Sequence, residues 1–293
     1  MKNSALRGHM LAVFTILVWG STFSATKALL DAFSSYEILV FRFLLAYVCL
    51  LVFYPKFLKP QSLKEEILFA LCGLFGVCLY FLLENIALNY TLASNAGVLV
   101  SISPIYTAIL SFFILKKPLG KYFIIGFIFA LLGIIIIIFH GNRSFQIDPL
   151  GDLLCILAGL SWAFYTIFLN KLFEIKKNAN TLAITKKIFF YGIIFSSLTL
   201  FYDGIHLSMQ RFLIPQNLFN LFFLGIFASA LCYLTWGMSL KILGTLKTSA
   251  YLYTIPIVSI LVASFTLKEP ITSYILIGSV LVLLGLFLSQ KQT

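Results

Sequence analysis

Charge is what this chain has least of. Only 11% of its 293 residues are charged, with ten acids set against 21 Lys and Arg. A soluble domain carries about 25% charged residues, so no ordinary water-facing surface can be assembled from this sequence. Histidine is also scarce: His9, His140 and His206 fall at the ends of apolar runs or in loops, without metal-ligand spacing. The five cysteines (Cys49, Cys72, Cys78, Cys155, Cys232) form no CxxC pair and lie inside apolar stretches. They read as small buried hydrophobes, not as disulfides or metal ligands. GxSxG and HExxH are absent, and Asp31, Asp148, Asp152 and Asp203 sit at helix ends. The chain therefore reads as no enzyme, with no metal and no cofactor.

Apolar surface is what it has in excess: 61% hydrophobic residues and a mean hydropathy of +1.02. No hydrophilic block is long enough to fold alone, so lipid must be the solvent. A helix crossing a bilayer needs roughly 20 mostly apolar residues. Ten such stretches are predicted, at about Gly8–Leu30, Tyr36–Tyr54, Glu66–Leu88, Ala93–Leu115, Lys121–His140, Pro149–Leu169, Ile184–Tyr202, Leu218–Leu240, Leu246–Leu267 and Ser273–Ser289. The first runs straight on from the N-terminus and reads as a retained span rather than a cleaved leader.

Basic residues set the orientation. A cytoplasmic N-terminus puts Lys2, Arg7, Lys56, Lys59, Lys64, Lys116, Lys117, Lys121, Lys171, Lys176, Lys177, Lys186, Lys187, Lys241, Lys247 and Lys291 inside. Only Lys27, Arg143, Arg211 and Lys268 fall outside, with Arg42 within a span. Both termini are then cytoplasmic, in a bacterial inner (plasma) membrane. Topology explains the net charge of +11, and no nucleic-acid partner is needed.

The sequence repeats itself. Pro104, Phe113, Leu115, Lys116, Pro118, Tyr122, Gly126 and Gly133 recur 152 positions on as Pro256, Phe265, Leu267, Lys268, Pro270, Tyr274, Gly278 and Gly285. Gly8 and Trp19 recur as Gly151 and Trp162, 143 positions on. Two units follow, 1–145 and 146–293, each with five spans. Five is odd, so the second unit enters the membrane from the opposite side. The expected fold class is all-α: a polytopic membrane protein of ten transmembrane helices in two inverted five-helix repeats, an arrangement suited to alternating access.

Polar residues inside the spans mark candidate sites. The third span carries Gly73, Val77, Tyr80, Glu84 and Ala87 on one face, and the eighth carries Gly225, Ser229, Cys232, Trp236 and Ser239. Small residues in such stripes serve helix packing as well as cavity walls, and both readings stay open. Glu84 is expected to pair with Arg42 or Lys27, the three forming an outer gate or binding the ends of a zwitterion. Trp19 and Trp162 lie at mid-depth; Thr22 shares the face of Trp19 and Tyr165 that of Trp162. Asn95, Ser101 and Tyr251 complete the substrate-binding candidates. Pro104 and Pro256 are expected to kink their helices and free the carbonyls of Val100 and Leu252.

Trp19-Gly20-Ser21-Thr22-Phe23 with Lys27 resembles the opening signature of the EamA family of the drug/metabolite transporter superfamily. Phe41-Arg42-Phe43-Leu44-Leu45-Ala46 resembles its second landmark, and Pro104…Lys117-Pro118 with Pro256…Glu269-Pro270 is similar to its repeated ends of helices 4 and 9. The resemblance covers nearly the whole chain, with one departure: Lys117 stands where the family often has an acid. It implies a secondary carrier, frequently an exporter of amino acids or other small metabolites. The expected function is transport of a small polar or zwitterionic, amino-acid-like metabolite, with export favoured. An uptake carrier and a lipid translocator or scramblase are the alternatives. The expected partners are a small-molecule substrate and membrane lipids, with a homodimer left open.

Overall fold

The structure is a computed structural model and describes residues 2–59, 61–116, 120–138, 149–204, 208–267 and 273–290. Among the described residues it is all α-helical, and eight helices are long and apolar enough to cross a membrane. They are α1 (Lys2–Leu29), α2 (Ser35–Phe53), α3 (Leu63–Tyr90), α4 (Ala93–Leu115), α6 (Pro149–Ile175), α7 (Thr181–Asp203), α8 (Pro215–Leu243) and α9 (Thr245–Thr266). Two further apolar helices, α5 (Lys121–Ile138) and α10 (Ser273–Gln290), have 18 residues each. That is about 27 Å of helix, close to the hydrocarbon thickness of about 30 Å. The candidate landmarks Lys117, Pro118, Glu269 and Pro270, together with Arg143, Lys268, His140 and His206, lie outside the described residues.

The interior is largely apolar, and the departure from a soluble protein lies in an outward surface that is apolar too. Leu44, Val48, Val52, Phe113, Leu198 and Phe265 face outward, while Thr15, Glu37, Arg42, Glu84, Asn85 and Ser229 are buried. Lipid tails are as apolar as leucine, so outward leucines carry no penalty, and polar groups gather inside where they can find partners.

The helices pack in matched sets. α1 packs on α8 and α9, and α6 packs on α3 and α4. α2 contacts α8, and α7 contacts α3; α2 also pairs with α7, and α5 with α10. Glycines at the α5–α10 crossing show how close the approach is. A Cβ on Gly133 would lie 2.5 Å from the carbonyl oxygen of Gly278, and one on Gly285 would lie 2.5 Å from that of Gly126.

Three local features shape the centre. The middle of α3 (Leu74–Leu79) and of α8 (Phe223–Leu231) is π-helical. α4 breaks at Ser101–Ile102, just ahead of Pro104, and α9 passes through a 3₁₀ turn at Tyr251–Thr254 ahead of Pro256. Both prolines thus sit at the start of a new helical segment, where a missing N–H costs least. The carbonyl of Leu252, expected to be bare, accepts the N–H of Ile255 within the 3₁₀ turn.

Ion pairs tie the connections at each end. At one end, Arg211 between α7 and α8 makes a two-pronged contact with Glu37 (2.6 and 2.8 Å) and donates to the carbonyl of Ala32 at 3.1 Å. Glu37 also closes a capping box with Ser34 at the start of α2. At the other end, Lys176 after α6 pairs with Glu65 of α3 at 3.0 Å and with Gln61 at 2.5 Å.

Candidate functional site

The centre of the bundle is aromatic. Trp19, Tyr80, Trp162, Tyr165, Tyr233 and Trp236 pack with ring centroids 4.8–6.2 Å apart. All three tryptophans of the chain belong to this cluster. Three of these rings, Trp19, Tyr80 and Trp162, line a cavity of about 20 Å³ together with Thr22, Arg42 and Ser103. That is room for roughly one water.

The π-helical segments supply its polar chemistry. Such a segment departs from the i→i−4 ladder and leaves carbonyls for outside donors. The carbonyl of Phe75 accepts from Ser161 at 2.7 Å, that of Gly76 from the Tyr233 hydroxyl, and that of Ala228 from Trp19 Nε1 at 2.8 Å. Gly76 and Ala228 are 152 positions apart, as are Phe81 and Tyr233. In the first half Phe81 has no hydroxyl to offer Ala228, and Trp19 takes that carbonyl. In the second half Tyr233 takes Gly76, and Trp162 Nε1 is left buried with no partner among the described residues. Gly76 must be glycine, because a Cβ there would enter the Tyr165 ring.

Arg42 is a fully buried guanidinium at this level, 1% exposed. Its Nε donates to Ser229 Oγ at 2.6 Å, and its Cζ lies 4.0 Å from the centre of the Phe81 ring. Nη1 and Nη2 have no hydrogen-bond partner among the described residues. Glu84, also 1% exposed, interacts with the Tyr80 hydroxyl one turn away, and its Oε1 has no partner among the described residues. Leaving buried charges this incompletely satisfied is costly in a low-dielectric interior.

Of the two partners expected for Glu84, Arg42 interacts with it electrostatically, while Lys27 is held elsewhere. No direct ion pair among the described residues joins it to Arg42 or Lys27. Lys27 instead donates to the carbonyls of Leu88 and Thr91, where it caps the C-terminal end of α3. A cation there satisfies orphan carbonyls and complements the helix dipole. Glu84 is buried.

Other candidates distribute around this centre. Thr22 lines the cavity and donates to the carbonyl of Trp19 at 2.7 Å. Trp236 is fully buried against Trp19 and Trp162, its Nε1 without a partner among the described residues. Tyr165 packs behind Trp162, and Ser229 holds Arg42. Ser101 does not line the cavity: its hydroxyl bonds back to Gly97 at 2.6 Å, and the break in α4 brings Ser103 to the lining instead. Asn95 is half-buried and outside the cavity lining. Tyr251 lies elsewhere, its hydroxyl 2.6 Å from His9 Nδ1. The stripe on α3 also divides. Gly73 and Val77 pack against Gly192 of α7, while Tyr80 faces the cavity, because the π-helical segment rotates the face between them.

Residues 6–139 and 149–290 each match the EamA-like transporter family. The chain belongs to that family. Like its other members, this EamA protein is a membrane transporter, not an enzyme. It is 29% identical to the uncharacterized transporter YyaM of Bacillus subtilis (strain 168), over 94% of this chain and 90% of that one. It is 27% identical to an uncharacterized transporter of Archaeoglobus fulgidus, over 97% of each chain. A solved crystal structure superposes with a TM-score of 0.75 at 17% identity, covering 96% of this chain and 95% of its own. That likeness concerns the fold of the EamA chain alone. Sequence reasoning passed over Tyr233, Phe81, Ser103 and the Glu37–Arg211 pair. The spacing of 152 gave a usable signal for the first two, since it sets Phe81 against Tyr233.

Proposed function

We propose that this EamA transporter is a secondary carrier for a small zwitterionic, amino-acid-like metabolite, working by alternating access with export as the favoured direction. One observation carries the reading: partly unsatisfied charges of both signs are buried beside the aromatic centre. Arg42 Nη1 and Nη2, with Trp162 Nε1, offer donors for a carboxylate. Glu84 Oε1 and the aromatic faces offer an ammonium its complement.

The cavity is too small for a metabolite, so loading requires the helices around it to part. Support for two inverted five-helix units, about 1–145 and 146–293, comes from the packing. Adding five to each helix number turns the α1–α8, α1–α9 and α2–α8 contacts into α6–α3, α6–α4 and α7–α3. The α2–α7 and α5–α10 contacts map onto themselves. The end ion pairs fit the same operation: α1–α2 meets α7–α8 at one end, and α6–α7 meets α2–α3 at the other. Basic residues favour cytoplasmic termini in a bacterial inner membrane.

A lipid translocator would keep its polar groups open to lipid; Tyr80, Glu84 and Arg42 are 8%, 1% and 1% exposed, which favours a carrier. The test uses the three clustered tryptophans as reporters. In purified protein, the transported amino acid is expected to change tryptophan emission saturably, and the same solute is expected to exchange across proteoliposome membranes. Glu84→Gln should weaken both. If no amino acid or related zwitterion alters emission or exchanges, the reading fails.

A further inference from the structure

A second cavity, of about 280 Å³, lies away from the centre where the α2–α3 connection meets the first turns of α7. Its lining includes Phe57, Glu66, Ala183, Lys186, Lys187 and Phe190. Lys186 is 2% exposed. Its ammonium donates to the carbonyls of Tyr54 (2.6 Å) and Lys56 (3.0 Å) and lies 4.3 Å from the centre of the Phe57 ring. An ammonium has three protons, and these bonds use two. No ion pair among the described residues gives Lys186 a carboxylate. The one acid in the lining is already engaged: Glu66 Oε1 by Lys187, and Oε2 by the Tyr191 hydroxyl at 2.5 Å. Two ammonium groups thus stand against one carboxylate, which pairs with Lys187 alone, and the cavity keeps a net positive charge.

The surroundings point to the kind of ligand. Phe57 and Phe190 are 70% and 47% exposed at the rim, where the outward surface of the bundle is apolar. Lys56 and Lys59 are exposed on the same connection and Lys64 in the first turn of α3. A basic pocket between helices, with an apolar rim and a ring of lysines, matches an anionic headgroup on an acyl tail. We propose that this cavity binds the phosphate of an acidic phospholipid, with the Lys186 ammonium as its principal contact and the acyl chain lying along Phe190. A soluble phosphate ester would offer the same headgroup chemistry without the tail.

Native mass spectrometry of the full chain in neutral detergent separates the alternatives. Three probes are compared: phosphatidylglycerol, phosphatidylcholine with the same acyl chains, and glycerol 3-phosphate. Wild-type protein is expected to retain phosphatidylglycerol in preference to phosphatidylcholine. Lys186→Gln should weaken that retention about fivefold or more, the factor expected for one lysine acting on an acidic lipid. Ala183→Leu, which fills the cavity and keeps every charge, should weaken it comparably. Equal retention of the two lipids by the wild-type chain would overturn the proposal, whatever the variants do. So would retention unaffected by Lys186→Gln and lost when Lys56, Lys59 and Lys64 are changed to Gln, which marks surface attraction. Glycerol 3-phosphate binding as tightly as the lipid would overturn the lipid assignment.

Discussion

Replacing Arg42 by methionine separates a binding role from a packing role. The substitution loses the charge-assisted hydrogen bond to Ser229, which contributes about 1.5–3 kcal/mol. It also loses the contact over the Phe81 ring, about 2 kcal/mol when desolvated. Against these stands the desolvation of a guanidinium that is 1% exposed, a penalty of several kcal/mol that methionine does not carry. Methionine fills a similar volume and adapts its shape. The terms nearly cancel, so thermal stability should change by no more than about 1–2 kcal/mol in either direction. Glu84→Gln is made alone and together with the Arg42 change, so that the effect of a carboxylate left without the guanidinium is separated from the effect of losing Arg42 in both readouts. Binding should respond very differently. Removing one partner of a buried, hydrogen-bonded charge pair costs about 2–5 kcal/mol, or roughly 30- to 4,000-fold in affinity. The assay is thermal unfolding of the detergent-solubilised protein beside exchange in proteoliposomes. Retained stability with lost exchange is expected. Exchange at the wild-type rate, or loss of exchange only in step with unfolding, would refute the argument.

Other outcomes follow from the packing. Gly76→Ala drives a methyl group into the Tyr165 ring, and should lower stability by about 1–3 kcal/mol in thermal unfolding; an unchanged melting temperature would refute the close approach. Tyr233→Phe removes the donor to the Gly76 carbonyl. The expected loss is about 1 kcal/mol, cushioned if the freed Gly76 carbonyl accepts from Trp162 Nε1, which has no partner among the described residues; a red-shifted tryptophan emission without that loss would count against the competition between them. Arg211→Ala breaks the contact with buried Glu37, a change worth about 3–5 kcal/mol when a buried pair is broken. It should favour the form open at that end, seen as faster reaction of an engineered cavity cysteine with reagent added from that side.

The span pattern was legible because lipid imposes it: apolar runs of fixed length leave few alternatives, and the 152-residue spacing marked the repetition directly. The site was less legible. Stripes were read with a constant helical period, whereas the π-helical turns at Leu74–Leu79 and Phe223–Leu231 rotate one half of each helix against the other. Nothing in the local composition announces those turns. The break in α4 moved the lining position from Ser101 to Ser103 for a related reason. The sequence grouped Glu84, Arg42 and Lys27 but could not give their azimuths, so Ser229 was missed as the partner of Arg42 and the α3 end as the partner of Lys27. Glu37 and Arg211 are far apart in sequence and flank loops, where no periodicity links them.

Accessibility of the cavity during turnover tests the carrier account most directly. Ser103 is 1% exposed and lines the central cavity. A Ser103→Cys variant, made after replacing the five native cysteines, can be probed in proteoliposomes with a membrane-impermeant thiol reagent on either side. Reaction from both sides, slowed by the transported solute, is the expected result. A cysteine that reacts from one side only, or from neither, while the protein is transporting would contradict it.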